Sequence, residues 1–364
     1  MLTGALIGYG FIAENGHFPA YRAALASGVP VSIVAVADVC PARLAKVKAA
    51  YPEIRVYEDA RRLFDAEKNL DFVDISTPPS EHAAIAHEAF DRGLHVFCEK
   101  PMATTAKDAA SMLAHARRAK RVLFPSHNYK HAPVIRAVRQ AIDEGSVGNV
   151  HLVTLHTFRN THAKGVPEWR PNWRRERRYS GGGIAMDHGA HTFYLAFDWL
   201  GAFPTSITAR MQTLGNYDTE DDLSCTLTFP RGGVATAHLT WNAGIRRVIY
   251  TVHGDRGAIR VEDDDVEVAS MRLGDDGRTT WDLKKERIAS DWMDASHVHW
   301  FKSVFEQFAA AIDKGDYVSR ETLQGFRCVE LIETAYESAR QGSRELSLGE
   351  PARKGVRDLI LHPD

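Results

Sequence analysis

The sequence predicts a chain of two domains, of α/β followed by α+β class: a doubly wound parallel sheet, then an open-faced, mostly antiparallel sheet. Three observations carry this. Short apolar runs alternate with segments of helical spacing over the first 125 residues. Beyond Pro125, strand-like stretches succeed one another through tight turns. At 364 residues, finally, the chain exceeds what one ordinary core organises. The expected domains are 1–125 and 126–364.

The first domain opens on the apolar run Leu2–Ile7. Val31–Ala37 is a continuous β-branched stretch, and Asp71–Ser76, Leu94–Cys98 and Val122–Phe124 follow. Between them Pro41–Ala50, Ser80–Arg92 and Ala106–Arg118 carry helical spacing. Near-continuous apolar strands that alternate with helices imply a parallel sheet covered on both faces. The second domain begins with an amphipathic helix at Ala132–Glu144, closed by Gly145. Strands are expected at Val150–Phe158, Thr205–Thr213, Leu223–Phe229, Val234–Trp241, Val248–His253 and Ala258–Glu262. Turns such as Pro230-Arg231-Gly232-Gly233 separate neighbours, which points to antiparallel pairing. Helices are expected at His188–Leu200, Ser296–Lys314 and Arg320–Gln341, and a tail from Gly349 packs on the body.

Composition excludes several classes of function. A net charge of −2 offers no basic surface for nucleic acid and no polybasic membrane anchor. No run approaches the ~18 apolar residues of a membrane helix, and no targeting segment stands at the start. The four cysteines are scattered without a CxxC pair, as in a reduced, cytoplasmic protein. The 17 histidines form no regularly spaced cluster, so no metal site is expected.

Gly8-Tyr9-Gly10-Phe11-Ile12-Ala13 follows the first strand directly and precedes a helical pattern. In this Gly-x-Gly-x-x-Gly/Ala arrangement Gly8 makes the turn and Gly10 admits a pyrophosphate. The helix N-terminus, with Phe11 and Ile12, faces the phosphates. In this strand–turn–helix setting the motif points to a Rossmann dinucleotide-binding domain, the alternative being a tight turn without a ligand. Asp38, at the end of the second strand, suits the hydroxyls of an adenosine ribose and repels a 2′-phosphate, so NAD is expected; the alternative for Asp38 is a helix cap before Pro41. Arg43 is the nearest cation and keeps NADP possible.

Thr77-Pro78-Pro79-Ser80-Glu81-His82 places a turn and a helix start at the carboxyl end of a strand, where ligands bind in open α/β sheets. Glu99-Lys100-Pro101 ends the next strand. Gly181-Gly182-Gly183-Ile184-Ala185-Met186-Asp187-His188-Gly189-Ala190-His191 lies downstream. With these segments the chain resembles the glucose–fructose oxidoreductase, inositol dehydrogenase and rhizopine-catabolism (Gfo/Idh/MocA) family of dehydrogenases, over most of its length. The resemblance implies a C-terminal domain with a large open-faced sheet. It also implies that Lys100, Asp187 and His191 line the site beside the nicotinamide, and that the Lys100–Pro101 peptide is cis in many relatives. Gly8, Gly10, Phe11, Ile12, Asp38, Thr77, Pro78, His82, Glu99 and Lys100 are then the cofactor-binding candidates.

Residues four apart on a helix share a face, so Asp187 is placed to orient His191; the alternative is a helix cap and a packed ring. The helix start favours a neutral imidazole and the carboxylate a charged one, which together hold the ring near neutrality. The expected chemistry is oxidation of a secondary alcohol on a sugar, cyclitol or sugar derivative. His191 takes the hydroxyl proton and Lys100 hydrogen-bonds the reacting oxygen. Glu99 contacts the cofactor or positions Lys100. Asn128, Lys130, Trp173 and His188 are candidate substrate contacts. The basic run Arg170–Tyr179 reads as a solvated loop or interface arm, with binding of an anionic substrate group as the alternative. Open-faced sheets of this kind cover themselves with a second copy, so a homodimer or homotetramer is expected. Two other functions fit the same sequence: a glycoside hydrolase that oxidises its sugar transiently through NAD, and a non-catalytic NAD-binding protein.

Overall fold

The computed structural model describes residues 1–274, 276–290, 292 and 296–348; the expected tail from Gly349 lies outside them. In chain order the elements are β1 (Leu2–Ile7), α1 (Phe18–Ala26), β2 (Val31–Ala37), α2 (Pro41–Ala50), β3 (Arg55–Tyr57), α3 (Ala60–Ala66), β4 (Phe72–Ile75), α4 (His82–Asp91), β5 (His95–Cys98), α5 (Ala106–Ala119) and β6 (Leu123–Pro125). Next come α6 (Pro133–Asp143), β7 (Val150–Phe158), α7 (Arg177–Ser180), α8 (Ala190–Leu200), β8 (Ser206–Gln212), β9 (Asp222–Thr228), β10 (Val234–Thr240), β11 (Arg247–Gly254) and β12 (Gly257–Glu262). The chain continues with β13 (Asp265–Leu273), β14 (Thr279–Arg287), α9 (Val298–Lys314), α10 (Arg320–Arg340) and β15 (Leu346–Ser347).

Contacts group these elements into two compact units. The first comprises Met1–Asn128, Ala163–Gly182 and the described part of Asp294–Val329. Its six strands are parallel in the order β3-β2-β1-β4-β5-β6. Direction of winding reverses between β1 and β4, so the Gly8 turn and the Thr77 turn stand side by side at the carboxyl edge. That is the switch point where open α/β sheets bind ligands.

Two segments distant in sequence join this unit. On α9, Phe301, Phe305 and Phe308 are buried with Tyr21, Phe72 and Phe97 in one aromatic core. Tyr21 and Phe305 stack at 3.8 Å between centroids. A parallel sheet needs helices on both faces, and α9 supplies cover that the first 125 residues do not. The second segment, Ala163–Gly182, lies over the carboxyl edge, where α7 packs on the turn Pro79–Glu81.

The second unit comprises Tyr129–His162, the described part of Gly183–Met293, and 330–348. Its sheet runs β14-β13-β12-β11-β7-β10-β9-β8-β15 and is antiparallel except where β7 meets β10. One face is buried through Val153, Leu155, Leu223, Leu227, Tyr250 and Val252. The opposite face carries Thr154, His156, Thr236, His238 and Thr251 at intermediate exposure. The strands β13 and β14 escape the sequence reading because β14 exposes every residue and has no buried period to show. Among the described residues no helix is long and apolar enough to cross a membrane.

Candidate active site

The first unit's signature residues converge on its carboxyl edge. Gly8 has φ +93°, and a Cβ there would stand 2.8 Å from the Thr77 nitrogen. Only glycine fits that left-handed turn against the neighbouring loop. A Cβ built on Gly10 meets nothing within 4 Å, so the backbone above it is open. Asp38 accepts the Tyr9 N–H at 2.6 Å and the Cys40 N–H at 2.7 Å. Each carboxylate oxygen keeps a lone pair for a further donor. Burial pushes this carboxyl up, against those two amides and Arg43. An open glycine shelf, a helix start and an acidic residue ending β2 fit an NAD pyrophosphate and ribose.

The helix after the glycines does not begin as a plain α-helix. Ala13–His17 forms a π-helical turn that runs into α1. Gly16 is pinned there, since a Cβ would lie 2.6 Å from the Ser296 carbonyl oxygen and 2.9 Å from the Phe301 ring. The π turn delivers His17 to the interior with no exposed surface. Its Nδ1 meets Asp74 Oδ2 at 2.7 Å and its Nε2 meets Glu99 Oε1 at 3.0 Å. Phe97, Phe301 and Phe305 surround the ring. Burial alone would lower its pKa, but the two carboxylates outweigh it and raise it to about 10. His17 is thus an imidazolium held between two anions.

This clamp bears on Lys100. Burial would raise the Glu99 carboxyl, yet His17, Lys100 and Ser126 hold it below its ordinary range. Its second oxygen accepts the Lys100 N–H at 3.1 Å. The Lys100–Pro101 peptide is cis. Sequence reading missed His17 and Asp74. The signal lay in Asp74 itself, a carboxylate inside the apolar run Phe72–Ile75, which needs a buried partner.

His82, expected at the cofactor, is wholly enclosed. Its ring nitrogens face the Pro101 and Thr77 carbonyls at 3.0 and 2.9 Å, and burial lowers its pKa. It braces the start of α4 against the cis-proline loop and leaves no edge for a ligand. Trp173, also in this unit, seats against Gly165 and lies under the Arg174 guanidinium at 4.3 Å. The basic run is partly neutralised from within: Glu176 receives Arg170 at 3.4 Å and Arg178 at 2.7 Å. Asn128 is buried at the end of this unit.

The second unit builds the other signature. Ala185–Gly189 is again a π-helical turn, and α8 follows it. This corrects the single helix expected from His188. The buried carboxylate of Glu220 caps its start, accepting N–H groups of Gly183 and Ala185 at 2.9 Å and the Tyr336 hydroxyl at 2.8 Å. Burial raises the Glu220 carboxyl. A Cβ on Gly183 would collide with the Glu220 main chain, which explains the third glycine. Asp187 Oδ2 lies 3.3 Å from His188 Nδ1, and Arg159 Nε donates to His188 Nε2 at 3.3 Å.

His191 is buried on α8, with Nδ1 2.6 Å from the Tyr194 hydroxyl. The Tyr129 ring stacks on it at 3.8 Å and 12°, and the Tyr129 N–H donates to the same hydroxyl. Asp187 thus meets His188 and His191 meets Tyr194, contacts that the four-residue spacing does not reveal. Lys130 lies 3.5 Å from Asp198 and over the Tyr194 ring. Among the described residues no group of His, Cys, Asp and Glu is arranged to hold a metal ion.

Family comparison agrees with both halves. Residues 2–127 match the oxidoreductase family model with an NAD-binding Rossmann fold, and residues 135–260 match the GFO/IDH/MocA C-terminal domain. The chain belongs to the GFO/IDH/MocA oxidoreductase family. An uncharacterized oxidoreductase of Escherichia coli (strain K12) is 30% identical over 254 residues, 70% of this chain and 69% of its own length. Inositol 2-dehydrogenase of Rhizobium meliloti (strain 1021) is 27% identical over 349 residues, 93% of this chain and 98% of its own. Levoglucosan dehydrogenase, solved with NADH and L-sorbose, has the same fold: TM-score 0.83 at 22% identity, over 96% of this chain and 99% of that one. This GFO/IDH/MocA protein is an NAD(P)-dependent dehydrogenase with an NAD-binding Rossmann domain, in a family of sugar and cyclitol dehydrogenases.

Proposed function

We propose that this enzyme moves a hydride between nicotinamide and a secondary-alcohol carbon of a sugar, cyclitol or sugar derivative. The observation that carries the reading is the setting of His191, a buried imidazole oriented by a phenol and a stacked ring next to Asp187 and His188. Gly8, Gly10, Phe11, Ile12, Asp38, Thr77 and Pro78 hold the dinucleotide, the first domain being 1–125 with the added cover of α9. NAD, when bound, supplies the hydride chemistry. His191 removes or returns the hydroxyl proton, and Lys100 donates a hydrogen bond to the reacting oxygen, stabilising its negative charge. Glu99, fixed by His17, holds the Lys100 main chain. His188 and Asn128 remain the substrate contacts of choice.

The test is an NADH-fluorescence screen with inositols, aldoses, sugar acids, sugar phosphates and aryl glycosides. Sustained NADH formation with one polyol class is expected. His191→Ala and Lys100→Ala should each lower turnover about 10²–10⁴-fold, while NADH still binds. Release of aglycone without accumulation of NADH would move the protein to the hydrolases and overturn the proposal.

A homodimer or homotetramer is part of the same proposal. Met271, Leu273, Trp281 and Leu283 are 38–72% exposed. Met271 pairs with Trp281 in register, so the four lie on one face of the β13–β14 hairpin. A second copy of the chain covers that apolar face. Light scattering should give a multiple of the 40.5 kDa chain mass, and Trp281→Asp should lower it. A monomeric wild type would refute this part. Buried, free thiols at all four cysteines accord with a reducing compartment, and we place the enzyme in the cytoplasm.

A further inference from the structure

The cofactor reading leaves one carboxylate unassigned. Glu168 belongs to the long segment between β7 and α7, far in sequence from the nucleotide motifs, yet it folds onto α2 in the first unit. Its main-chain oxygen accepts the Cys40 thiol at 3.5 Å. Its carboxylate meets Lys46 Nζ at 2.5 Å and Arg43 Nη1 at 3.7 Å. Arg43 is further engaged: Nε donates to the Tyr9 carbonyl at 2.7 Å, and Nη2 pairs with Glu14 at 2.6 Å.

These contacts surround the residue that meets the ribose. Asp38 is bound to the main chain of Tyr9 and Cys40, and Tyr9 and Cys40 in turn touch Arg43 and Glu168. Arg43 and Lys46 stand three apart on the first turns of α2, so they share a helix face. A cation following the acidic residue of β2 is what accommodates a 2′-phosphate. Here both available cations are spoken for. Arg43 is 1% exposed and ties into two carboxylates, whereas Lys46 is 49% exposed and, among the described residues, pairs with Glu168.

We propose that Glu168 is a specificity-determining residue that enforces the choice of NAD over NADP. It neutralises Lys46, completes the neutralisation of Arg43, and adds a second carboxylate to Asp38 around the 2′ position. The inference rests on the dinucleotide reading of the Gly8–Ala13 turn and assigns a function to a segment that the nucleotide motifs do not include.

Two variants of the full-length protein test it by titration with NADH and NADPH, read by nucleotide fluorescence without substrate. In Glu168→Gln the Kd for NADPH should fall about 5–10-fold while that for NADH moves less than twofold. In Lys46→Gln the freed Glu168 carboxylate should raise the NADPH Kd about threefold or more, again with little change for NADH. The gain in Glu168→Gln should fade as salt is raised, because the Lys46 ammonium that carries it is half exposed. An unchanged NADPH-to-NADH ratio in both variants, with a wild type that binds NADH, overturns the role of Glu168 alone. A wild type that binds neither nucleotide overturns the dinucleotide reading and this inference with it.

Discussion

The two units present their chief histidines by the same backbone device, and the proposed mechanism uses them for opposite ends. His17 leaves a π-helical turn before α1, and His191 follows one at the start of α8. π-Turns of this kind re-aim side chains within a helix and recur at functional sites. The partners then differ. His17 sits between the carboxylates of Asp74 and Glu99 with no exposed surface, which locks its proton in place. His191 is bracketed by Tyr129, whose ring stacks on it, and by Tyr194, whose hydroxyl meets its Nδ1. A ring meant to brace must not titrate near neutrality, and a ring meant to exchange protons must. Burial alone does not separate the two rings, because both are buried.

The largest effect follows from breaking the first histidine's clamp. His17→Gln leaves two buried carboxylates without their cation and should cost about 3–5 kcal/mol of stability, measured by denaturant unfolding at pH 7. The sign of its pH dependence is fixed. A folded-state pKa raised to about 10 from 6.5 makes the contribution complete below pH 6.5 and erodes it as pH climbs toward 10. The gap between wild type and variant should therefore narrow steadily from pH 6.5 to 10. A gap that widens, or none at pH 7, would show His17 to be neutral in the fold. Any folded variant should also keep binding NADH while turnover falls, since Glu99 then loses its hold on the Lys100 main chain.

How much of this was legible in sequence follows the same contrast. β1 and β2 stand with the bounds expected of them, because mostly apolar runs end sharply in glycine or aspartate. Gly8, Gly183 and Lys100 were legible because their motifs encode backbone geometry, and backbone geometry is local. The clamp was not, since His17, Asp74 and Glu99 are 57 and 82 residues apart along the chain. Its only trace is a lone aspartate in an apolar strand. Glu220 hid in the acidic stretch Asp218–Asp222, which looks like a solvated loop and instead sends one carboxylate inward to cap the Asp187 turn. The strands from β7 to β12 were foreseeable from alternation, but the parallel pairing of β7 with β10 was not. The hairpin β13–β14 was not, because its outer strand is exposed on both faces and is written in charged residues.

The smaller effect sharpens the comparison from the other side. A base that works through Nε2 carries its neutral-state proton on Nδ1, so His191 donates to the Tyr194 hydroxyl oxygen across the 2.6 Å contact. That oxygen also accepts the Tyr129 N–H, so its acceptor capacity is fully used. Tyr194→Phe removes the acceptor and leaves the ring stacked on Tyr129. A hydrogen bond to the charged form stabilises it by about 1.5–3 kcal/mol, so its loss disfavours the imidazolium. The acid limb of the kcat/KM profile should shift to lower pH by about one unit, with kcat down roughly tenfold at pH 7 and NADH affinity unchanged. His17 offers no such lever, because the carboxylates of Asp74 and Glu99 set its charge. An acid limb that stays in place in Tyr194→Phe would mean that the group titrating in catalysis is not His191, and the division of labour between the two histidines would fall with it.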